Sequence, residues 1–329
     1  MRLMRKKKKN LLVIFLVPVL VIVALQGAFL FFTLNASGMK TRLETNAIRT
    51  DKSIVQNRQV VLENDMVNQW EAVAGESDAV SQALTGFLHI NQMTTEEFLK
   101  EKDSQQEFLQ MMFPDMVNYL QYNNTSGLFL VFANDSDVEK EAEYCGFFLR
   151  DSTPQERTAS NTDLLLERGS KQLSQDMNIS LDNPWTTYFT FRGNGTREAD
   201  DFFYKPYLAA LSHKDVDMAK LGYWSRPFIL DEHYLDTHRM ITYSVPLMLD
   251  DTVYGVIGVE LSVTYLNSYF PARDLDADLN AGYVVALKTG NNTYEALLGN
   301  GALYDAVFRE DGTCVLEAQG ENAFYRVEG

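Results

Sequence analysis

Cysteine is scarce in this chain of 329 residues, which contains Cys145 and Cys314 and no others. Two cysteines can build neither a four-ligand metal site nor the disulfide framework of a small secreted domain. A single bridge between them is possible outside a cell, whereas two separately buried thiols is the simpler interpretation. The core must therefore be held by ordinary packing, and no metal site is predicted.

Basic residues are also in deficit, with 29 Lys and Arg against 45 Asp and Glu. Six of the basic residues precede residue 10, which leaves 23 basic against 45 acidic residues and a net charge of −22. Such a surface repels nucleic acid and anionic lipid. A nucleic-acid partner is therefore excluded, while cationic or zwitterionic ligands are favoured.

The sequence lacks the motifs of common enzyme classes. It has no Gly-x-Ser-x-Gly elbow and no Gly-x-x-x-x-Gly-Lys phosphate loop. Of its four histidines, His233 and His238 are five residues apart, without the spacing and intervening Glu of a helical zinc site. Asp250-Asp251 is better interpreted as a turn than as a catalytic pair. We predict no enzyme activity within this chain and no cofactor.

Long apolar runs are confined to Leu11–Leu34, which has 24 residues without a formal charge. About 20 apolar residues suffice for a helix to cross a bilayer. The basic segment 1–10 belongs on the cytoplasmic side, which places residues 35–329 outside the cell. The alternative is a cleaved signal peptide, whose apolar core is usually about 7–15 residues long. We therefore predict an uncleaved, single-pass anchor in the cell membrane.

The part outside the membrane is rich in apolar and aromatic residues, which argues against disorder. From Met39 to Ala74, apolar residues recur at steps of four and seven and predict one amphipathic helix about 54 Å long. Two interpretations stay open. The helix is an ordinary core helix, or it is a membrane-rooted stalk that pairs with its counterpart in a homodimer.

Beyond this helix, the pattern predicts a second helix and then mostly strands. Thr94 and Glu97 have capping-box spacing at the start of the second helix, which is expected to break near Pro114. Asp151–Gln172 reads as polar, locally helical sequence. The predicted strands are Gly127–Ala133, Tyr144–Leu149, Trp185–Phe191, Arg239–Leu249 and Thr252–Val263.

The last two of these strands form the strongest predicted pair. Asp250-Asp251 suits a two-residue hairpin turn, and Pro246 favours an edge or a bulge near the end of the first strand. A linker helix is expected over Ser262–Phe270. Further strands are predicted at Gly282–Lys288, Ala302–Arg309 and Thr313–Gln319, which would begin a second β-rich unit. We expect that this unit is incomplete and that the natural chain continues.

Strand Thr252–Val263 contains the pattern of most functional interest. Alternate residues Val253 to Val263 form an apolar face that should pack on the long helix. On the other face, Gly258 precedes Glu260 by two residues, so open space above the sheet could lie beside a carboxylate. This arrangement could receive an ammonium group. The alternative is that Glu260 points to solvent or pairs with a nearby arginine.

Four stretches between residues 201 and 270 resemble the double Cache family, the extracytoplasmic sensor regions of bacterial transmembrane receptors. They are Phe203–Ala210 (FYKPYLAA), Gly222–Phe228 (GYWSRPF), Ile241–Leu247 (ITYSVPL) and Gly255–Ser262 (GVIGVELS). The resemblance implies two PAS-like α/β (α+β) domains on one long helix, with small ligands held in the membrane-distal domain. The implied organisation is a cytoplasmic segment 1–10, a transmembrane helix 11–34, a stalk helix 35–75, a distal ligand-binding domain 76–270 and a proximal, truncated domain 271–329.

Amino-acid-binding members of that family typically show an Arg-x-Trp-Tyr segment and an acid in the last strand. Tyr207 matches the tyrosine and Glu260 the acid, whereas Tyr204 and Pro206 stand at the arginine and tryptophan positions. Without that arginine there is no bidentate clamp for an α-carboxylate. An amine or another small solute is thus as plausible a ligand as an amino acid.

The predicted ligand-binding residues are four aromatic side chains, an arginine and the acid. The aromatic walls suit apolar bodies or cations, with core packing as the alternative. Arg226 could replace the missing arginine or form a loop salt bridge, and Arg150-Asp151 could line the same pocket. The predicted function is a small-molecule sensor whose missing output domain could be a kinase or cyclase; a surface-anchored adhesion module is the alternative. The predicted site comprises Tyr204, Tyr207, Trp224, Arg226, Tyr243 and Glu260.

Overall fold

The computed structural model describes residues 11–36, 38–123, 125–134, 136–154, 160–230, 239–274, 282–288, 290, 293–301, 315–319 and 324–328. Several predictions fall outside these residues: the basic segment 1–10, His233, His238, Cys314 and the strand over 302–309. The chain divides into two compact units, residues 1–59 and 60–329.

The first unit contains helix α1 (Leu11–Ala36) and the beginning of helix α2. Within α1, Phe15–Thr33 has a mean hydropathy of 2.5, and none of this stretch is buried in the structure. This helix is long and apolar enough to cross a membrane, as the sequence predicts. Pro18 lies inside it without ending it.

Helix α2 (Met39–Asn91) has 53 residues and runs well beyond the predicted end at Ala74. The extension follows from a second apolar stripe, because Val73, Val80, Leu84 and Phe87 recur at helical spacing and are buried. At 1.5 Å per residue, α2 is about 80 Å long. No interruption occurs at residue 75, the predicted boundary between stalk and distal domain.

Two further helices follow α2. Helix α3 (Thr95–Lys100) begins with the predicted capping box, in which Thr94 and Glu97 cap each other. Helix α4 (Lys102–Asn123) contains Pro114 in its interior, so the predicted break at this residue is wrong. Proline destabilises a helix interior, but Phe113, Val117 and Leu120 are buried around it, and this packing holds the helix together.

The main sheet of the second unit has seven strands in the order β5-β4-β3-β1-β9-β8-β7. Neighbouring strands from β4 to β7 are antiparallel, whereas β4 and β5 pair in parallel. This antiparallel sheet with its helices confirms the predicted α+β, PAS-like class. Its strands are β1 (Gly127–Phe132), β3 (Gly146–Asp151), β4 (Leu164–Arg168), β5 (Ser180–Thr186), β7 (Tyr223–Trp224), β8 (Met240–Leu249) and β9 (Thr252–Ser262).

Two smaller sheets and three short helices complete the described part of the second unit. Strand β2 pairs with β6, and β10 to β13 form a four-stranded sheet in sequence order. The predicted strand over Gly282–Lys288 is confirmed as β10, and the linker helix over Ser262–Phe270 as α7. The remaining bounds are β2 (Ala142–Tyr144), α5 (Lys171–Met177), β6 (Phe189–Phe191), α6 (Asp201–Ser212), α7 (Val263–Ser268), β10 (Tyr283–Lys288), β11 (Thr293–Asn300), β12 (Val315–Gln319) and β13 (Phe324–Glu328).

The two faces of the main sheet are buried under different layers. On one face, aliphatic side chains such as Leu128, Leu130 and Ile257 belong to a core that includes α2, α3 and α4. We name this the helix face. On the opposite face, Phe129 and Phe148 join a mostly aromatic cluster that includes α6. We name this the aromatic face. Burial of each large apolar side chain contributes about 1.5–3 kcal/mol.

The Asp250-Asp251 hairpin is confirmed, with φ of 48° and 62° at the two turn residues. Positive φ at both positions is the geometry of a type I′ turn, which suits the twist of paired strands. The β8–β9 register shifts after Leu247, one residue beyond Pro246, as the proline predicts. This shift leaves Tyr254 unpaired between Val253 and Gly255.

That irregularity changes the predicted alternation of β9. Tyr254 was expected on the face away from the long helix, but its hydroxyl lies 2.9 Å from Ser81 Oγ of α2. It belongs to the core of the helix face together with Ile257 and Val259. A bulge adds one residue to one strand and so reverses the side-chain order locally.

Other strand predictions required adjustment. The predicted strand Tyr144–Leu149 is divided at Cys145 between β2 and β3. Asp151–Gln172 was predicted to be locally helical, but it contains strand β4, whose Leu164 and Leu166 are completely buried. The predicted strand Trp185–Phe191 covers the end of β5 and all of β6. A strand that is buried on both faces lacks the alternation of polar and apolar residues by which strands are usually predicted.

Candidate functional site

The hollow predicted above Gly258 is filled. Phe129 of β1 is the cross-strand partner of Gly258, and a Cβ at Gly258 would overlap the Phe129 ring and the Tyr243 carbonyl oxygen. The Phe129 ring also packs edge-on against Phe202, with 4.8 Å between centroids, and against Phe148. The missing side chain thus makes room for an aromatic ring of the neighbouring strand. This part of the sequence prediction is wrong.

Glu260 forms a buried ion pair with Arg150, the alternative that the sequence left open. Its carboxylate is completely buried, and it accepts two hydrogen bonds from Arg150, of 2.9 Å from Nε and 2.7 Å from Nη2. Such a bidentate pair is among the stronger polar contacts in proteins. The carboxylate is therefore already occupied by a cation of this chain.

A glycine makes this pair possible. Gly127 of β1 is the cross-strand partner of both Arg150 on β3 and Glu260 on β9. A Cβ at Gly127 would lie 2.6 Å from Glu260 Oε2. Because Gly127 has no side chain, the arginine can cross over β1 to reach the acid.

A second buried acid extends the pair to a charged row. Glu167 of β4 is completely buried, with Oε2 3.4 Å from Arg150 Nη1 and Oε1 3.6 Å from Arg168 Nη1. Within the described residues, neither carboxylate oxygen accepts a hydrogen bond. Burial raises the pKa of Glu167 to about 7, although both arginines oppose the shift. Glu167 therefore titrates near neutral pH.

A cavity of about 580 Å³ lies beside this charged row, and we name it the β3–β9 cavity. Its walls come from the first residue before β1, the ends of β3 and β9, strands β4 and β5, and helix α7. Seven hydroxyl side chains line it, among them Ser262, Thr264 and Tyr265. The charged residues that line it are Arg150, Asp151, Asp182 and Glu260.

The two aspartates in this wall differ in their surroundings. Asp151 is buried enough to raise its pKa to about 6, although the Thr153 amide donates to its Oδ1. Asp182 accepts from the Asn183 amide through Oδ1, while its buried Oδ2 has no hydrogen-bond partner among the described residues. The described lining residues thus include three carboxylates and one arginine. The wall attracts positive charge.

The predicted aromatic residues lie elsewhere, on both faces of the sheet. Tyr204 is completely buried in the aromatic cluster, and burial raises its pKa. Tyr207 is half-buried and stacks on Phe203 at 5.3 Å. Trp224 and Tyr243 pack together at 4.9 Å against the core of the helix face. Their positions correspond to the core-packing alternative.

Arg226 also lies apart from Glu260. Its side chain is 49% exposed and is 3.3 Å from Glu295 and 3.9 Å from Glu198. This is the loop salt bridge that the sequence left as the alternative. Of the six predicted residues, the structure thus places Glu260 at the β3–β9 cavity, together with Arg150 and Asp151. The ligand-binding roles of the six stay predictions.

A hydrogen-bonded chain connects the cavity wall to the long helix. The Tyr265 hydroxyl lies 3.0 Å from the Tyr269 hydroxyl, which donates to Asp65 Oδ2 of α2 over 2.8 Å. Burial raises the pKa of both tyrosines, so both phenols stay protonated. Two hydrogen bonds thus link Tyr265 to α2.

Sequence reasoning missed three members of this site: Gly127, Glu167 and Asp182. Gly127 was read only as the start of a strand, and Glu167 lay in sequence interpreted as helical. One signal was present, since a glycine at the start of a strand allows close approach of neighbours. The residues opposite Gly127 depend on strand pairing, which no local pattern shows.

A second cavity, of about 620 Å³, lies near the junction of α3 and α4. Lys102 and Glu143 at its wall are 3.7 Å apart. Cys145 also lines it, and burial raises the pKa of this thiol to about 12, which keeps it protonated. The prediction of a buried, free thiol holds for Cys145.

Comparisons with known proteins found similar solved structures at low sequence identity. No protein family model matches the chain, and no curated protein matches it. It is similar to methyl-accepting chemotaxis protein X, at 13% identity and a TM-score of 0.35, over 87% of this chain and 100% of that one. It is also similar to the periplasmic sensory domain of the Campylobacter jejuni chemoreceptor Tlp1, at 12% identity and 0.33, over 75% and 73%.

A third similar structure is the ligand-binding domain of the Pseudomonas aeruginosa PAO1 amino acid chemoreceptor PctC in complex with GABA. Identity is 12% and the TM-score 0.28, over 80% of this chain and 92% of that one. Such low identities and TM-scores transfer neither a ligand nor a role to this chain.

Proposed function

We propose that this chain is the extracytoplasmic sensor region of a membrane receptor and binds a small molecule in the β3–β9 cavity. The single observation that carries the proposal is the cavity itself. Its volume of about 580 Å³ lies within the usual range of roughly 300–1,000 Å³ for small-molecule sites. Its wall combines a buried ion pair with two aspartates, and such convergent polar groups fix the orientation of a ligand.

The proposed signal runs from the cavity to α2. A ligand that contacts Tyr265 changes the hydrogen-bonded chain through Tyr269 to Asp65, and so shifts the long helix. In the proposed receptor, the shift passes as a piston-like or rotational change through the membrane anchor 11–34. The N-terminus is cytoplasmic in this scheme, and residues 35–75 pair in a homodimer.

An adhesion or partner-binding module is the second candidate. One observation favours it, because this alternative predicts side chains filling the space above Gly258, and Phe129 fills that space. The two candidates differ in what they bind. The module would bind a protein or glycan through an exposed patch and would give no response to small solutes.

A thermal-shift screen of the full chain in detergent tests the sensor proposal. Small amines, amino acids and carboxylates are compared at equal concentration, and a binder raises the melting temperature by mass action. Asp151→Asn should remove most of the ligand-induced shift, because Asp151 lines the cavity. Tyr207→Ala should retain the shift, because Tyr207 stacks on Phe203 away from the cavity.

The pair of variants also decides where the ligand binds. Loss of the shift in Tyr207→Ala but not in Asp151→Asn would return the site to the residues that the sequence predicted. No melting response to any compound of the screen would contradict the sensor proposal and favour the adhesion module.

A further inference from the structure

The guanidinium of Arg150 in the wall of the β3–β9 cavity is already occupied by carboxylates of this chain. Its Nε and Nη2 donate to Glu260, and its Nη1 lies 3.4 Å from Glu167. Both acids are completely buried, so neither can turn to solvent and release the guanidinium. A ligand carboxylate would have to displace one of them, which would leave a buried carboxylate unpaired.

The remaining charges at this wall are negative. Asp151 and Asp182 line the cavity with Glu260, and Glu167 Oε2 lies 3.4 Å from Arg150 Nη1. The buried Oδ2 of Asp182 has no hydrogen-bond partner in the described part of the chain. A cation held near these carboxylates would reduce the surplus of negative charge.

The rest of the wall carries hydroxyl side chains beside a larger share of apolar surface. The hydroxyl groups of Ser262, Thr264 and Tyr265 can each accept or donate a hydrogen bond, so they do not themselves select one sign of charge. Selectivity for charge must therefore come from the acids and from Arg150, whose guanidinium is already paired with Glu260.

We propose that the β3–β9 cavity selects organic cations that carry no carboxylate, and that the Arg150–Glu260 pair is the element that rejects carboxylates. This inference rests on the proposed function and names the ligand class of the same site. The ammonium group lies against Asp182 and Asp151. The Glu260 carboxylate keeps Arg150 occupied, so that an amino acid gains no clamp for its own carboxylate.

Five compounds with the same four-carbon chain test this selectivity by isothermal titration calorimetry on the full chain in detergent. They are 1-aminobutane, 1,4-diaminobutane, butan-1-ol, butanoate and 4-aminobutanoate. We expect the two amines to bind at least about tenfold more tightly than butan-1-ol and 4-aminobutanoate, and butanoate to show no binding.

Variants separate charge selection from general damage. Asp182→Asn should weaken binding of 1-aminobutane by about tenfold. Asp78→Asn removes the same charge from an exposed position of α2 and should leave the affinity unchanged. Glu260→Gln should weaken binding of 1-aminobutane and give measurable binding of butanoate, because it releases Arg150. Circular dichroism of Glu260→Gln checks that any gain of butanoate binding occurs in the folded chain.

Each outcome decides the inference. Binding of butanoate or 4-aminobutanoate as tight as that of 1-aminobutane would overturn it and leave the sensor proposal standing. Equal affinity of Asp182→Asn and wild type for 1-aminobutane would also overturn it. If none of the five compounds binds, the cation inference fails, and the broader thermal-shift screen decides separately whether the sensor proposal fails with it.

Discussion

Two glycines on the aromatic face of the main sheet have opposite surroundings. The space at Gly258 is taken by the ring of Phe129, and this region is closed hydrocarbon. The space at Gly127 is crossed by the ion pair of Arg150 and Glu260, and this region opens into the β3–β9 cavity. A glycine in a strand thus indicates that another group lies close to its backbone, and the residues of the neighbouring strands determine which group that is.

The difference has an energetic side. Phe129 is stabilised by burial and by contacts with neighbouring rings, which need no exact partner. Arg150, Glu260 and Glu167 are stabilised only as a set, because removal of one partner leaves a buried charge uncompensated. The cavity region is therefore more sensitive to single substitutions and to pH.

The largest expected effect comes from breaking the charged row. Arg150→Ala leaves Glu260 buried without its cation and Glu167 with Arg168 alone, and should lower the free energy of unfolding by about 3–5 kcal/mol. Urea unfolding monitored by circular dichroism measures the change. Arg226→Ala is the matched control, since its exposed pairs contribute only about 0–1 kcal/mol. Equal losses in both variants would contradict the contrast.

The next effect is a pH dependence carried by Glu167. Its pKa is about 7 in the folded chain and 4.5 in the unfolded chain, so between these pH values the folded state binds more protons than the unfolded state. Stability from this group is complete below pH 4.5 and falls as pH rises to 7, by at most about 3 kcal/mol. Asp151, whose folded pKa is about 6, contributes in the same direction at lower pH.

Glu167→Gln should flatten this fall between pH 4.5 and 7, as measured by urea unfolding at a series of pH values. Glu97→Gln is a suitable control, because Glu97 lies in the exposed capping box and its pKa is lowered by the Thr94 amide. An unchanged slope in Glu167→Gln would show that the buried carboxyl is not the titrating group.

The smallest effects compare the glycines directly. Gly258→Ala and Gly127→Ala each force a Cβ into an occupied space, and each should destabilise the fold by about 1–3 kcal/mol in thermal or urea unfolding. The two differ in their second consequence. Gly127→Ala separates Glu260 from Arg150 and should weaken binding of 1-aminobutane, whereas Gly258→Ala should retain it. Equal affinities in both variants would remove the distinction between the regions.

Much of the fold was accessible from local sequence. The Thr94 and Glu97 capping box, the Asp250-Asp251 turn and the two long strands around that turn depend on residues close together in the chain. The errors have a common cause. Packing around Pro114 keeps α4 intact despite the proline. Strand β4 has no alternation of polar and apolar residues, because its leucines are mostly buried. The bulge at Tyr254 changes which face its side chain lies on, and a periodic pattern cannot predict a bulge.

Local sequence predicted the apolar helix near the N-terminus, the long amphipathic helix, the hairpin of β8 and β9 and a surface poor in positive charge. Each follows from composition or from short-range periodicity. The tertiary structure alone decided that Glu260 meets Arg150, a residue 110 positions away, and that the open space lies beside this pair and not above Gly258. The reason is that β3, β1 and β9 become neighbours only when the sheet forms, so the chemistry across them is a property of the pairing.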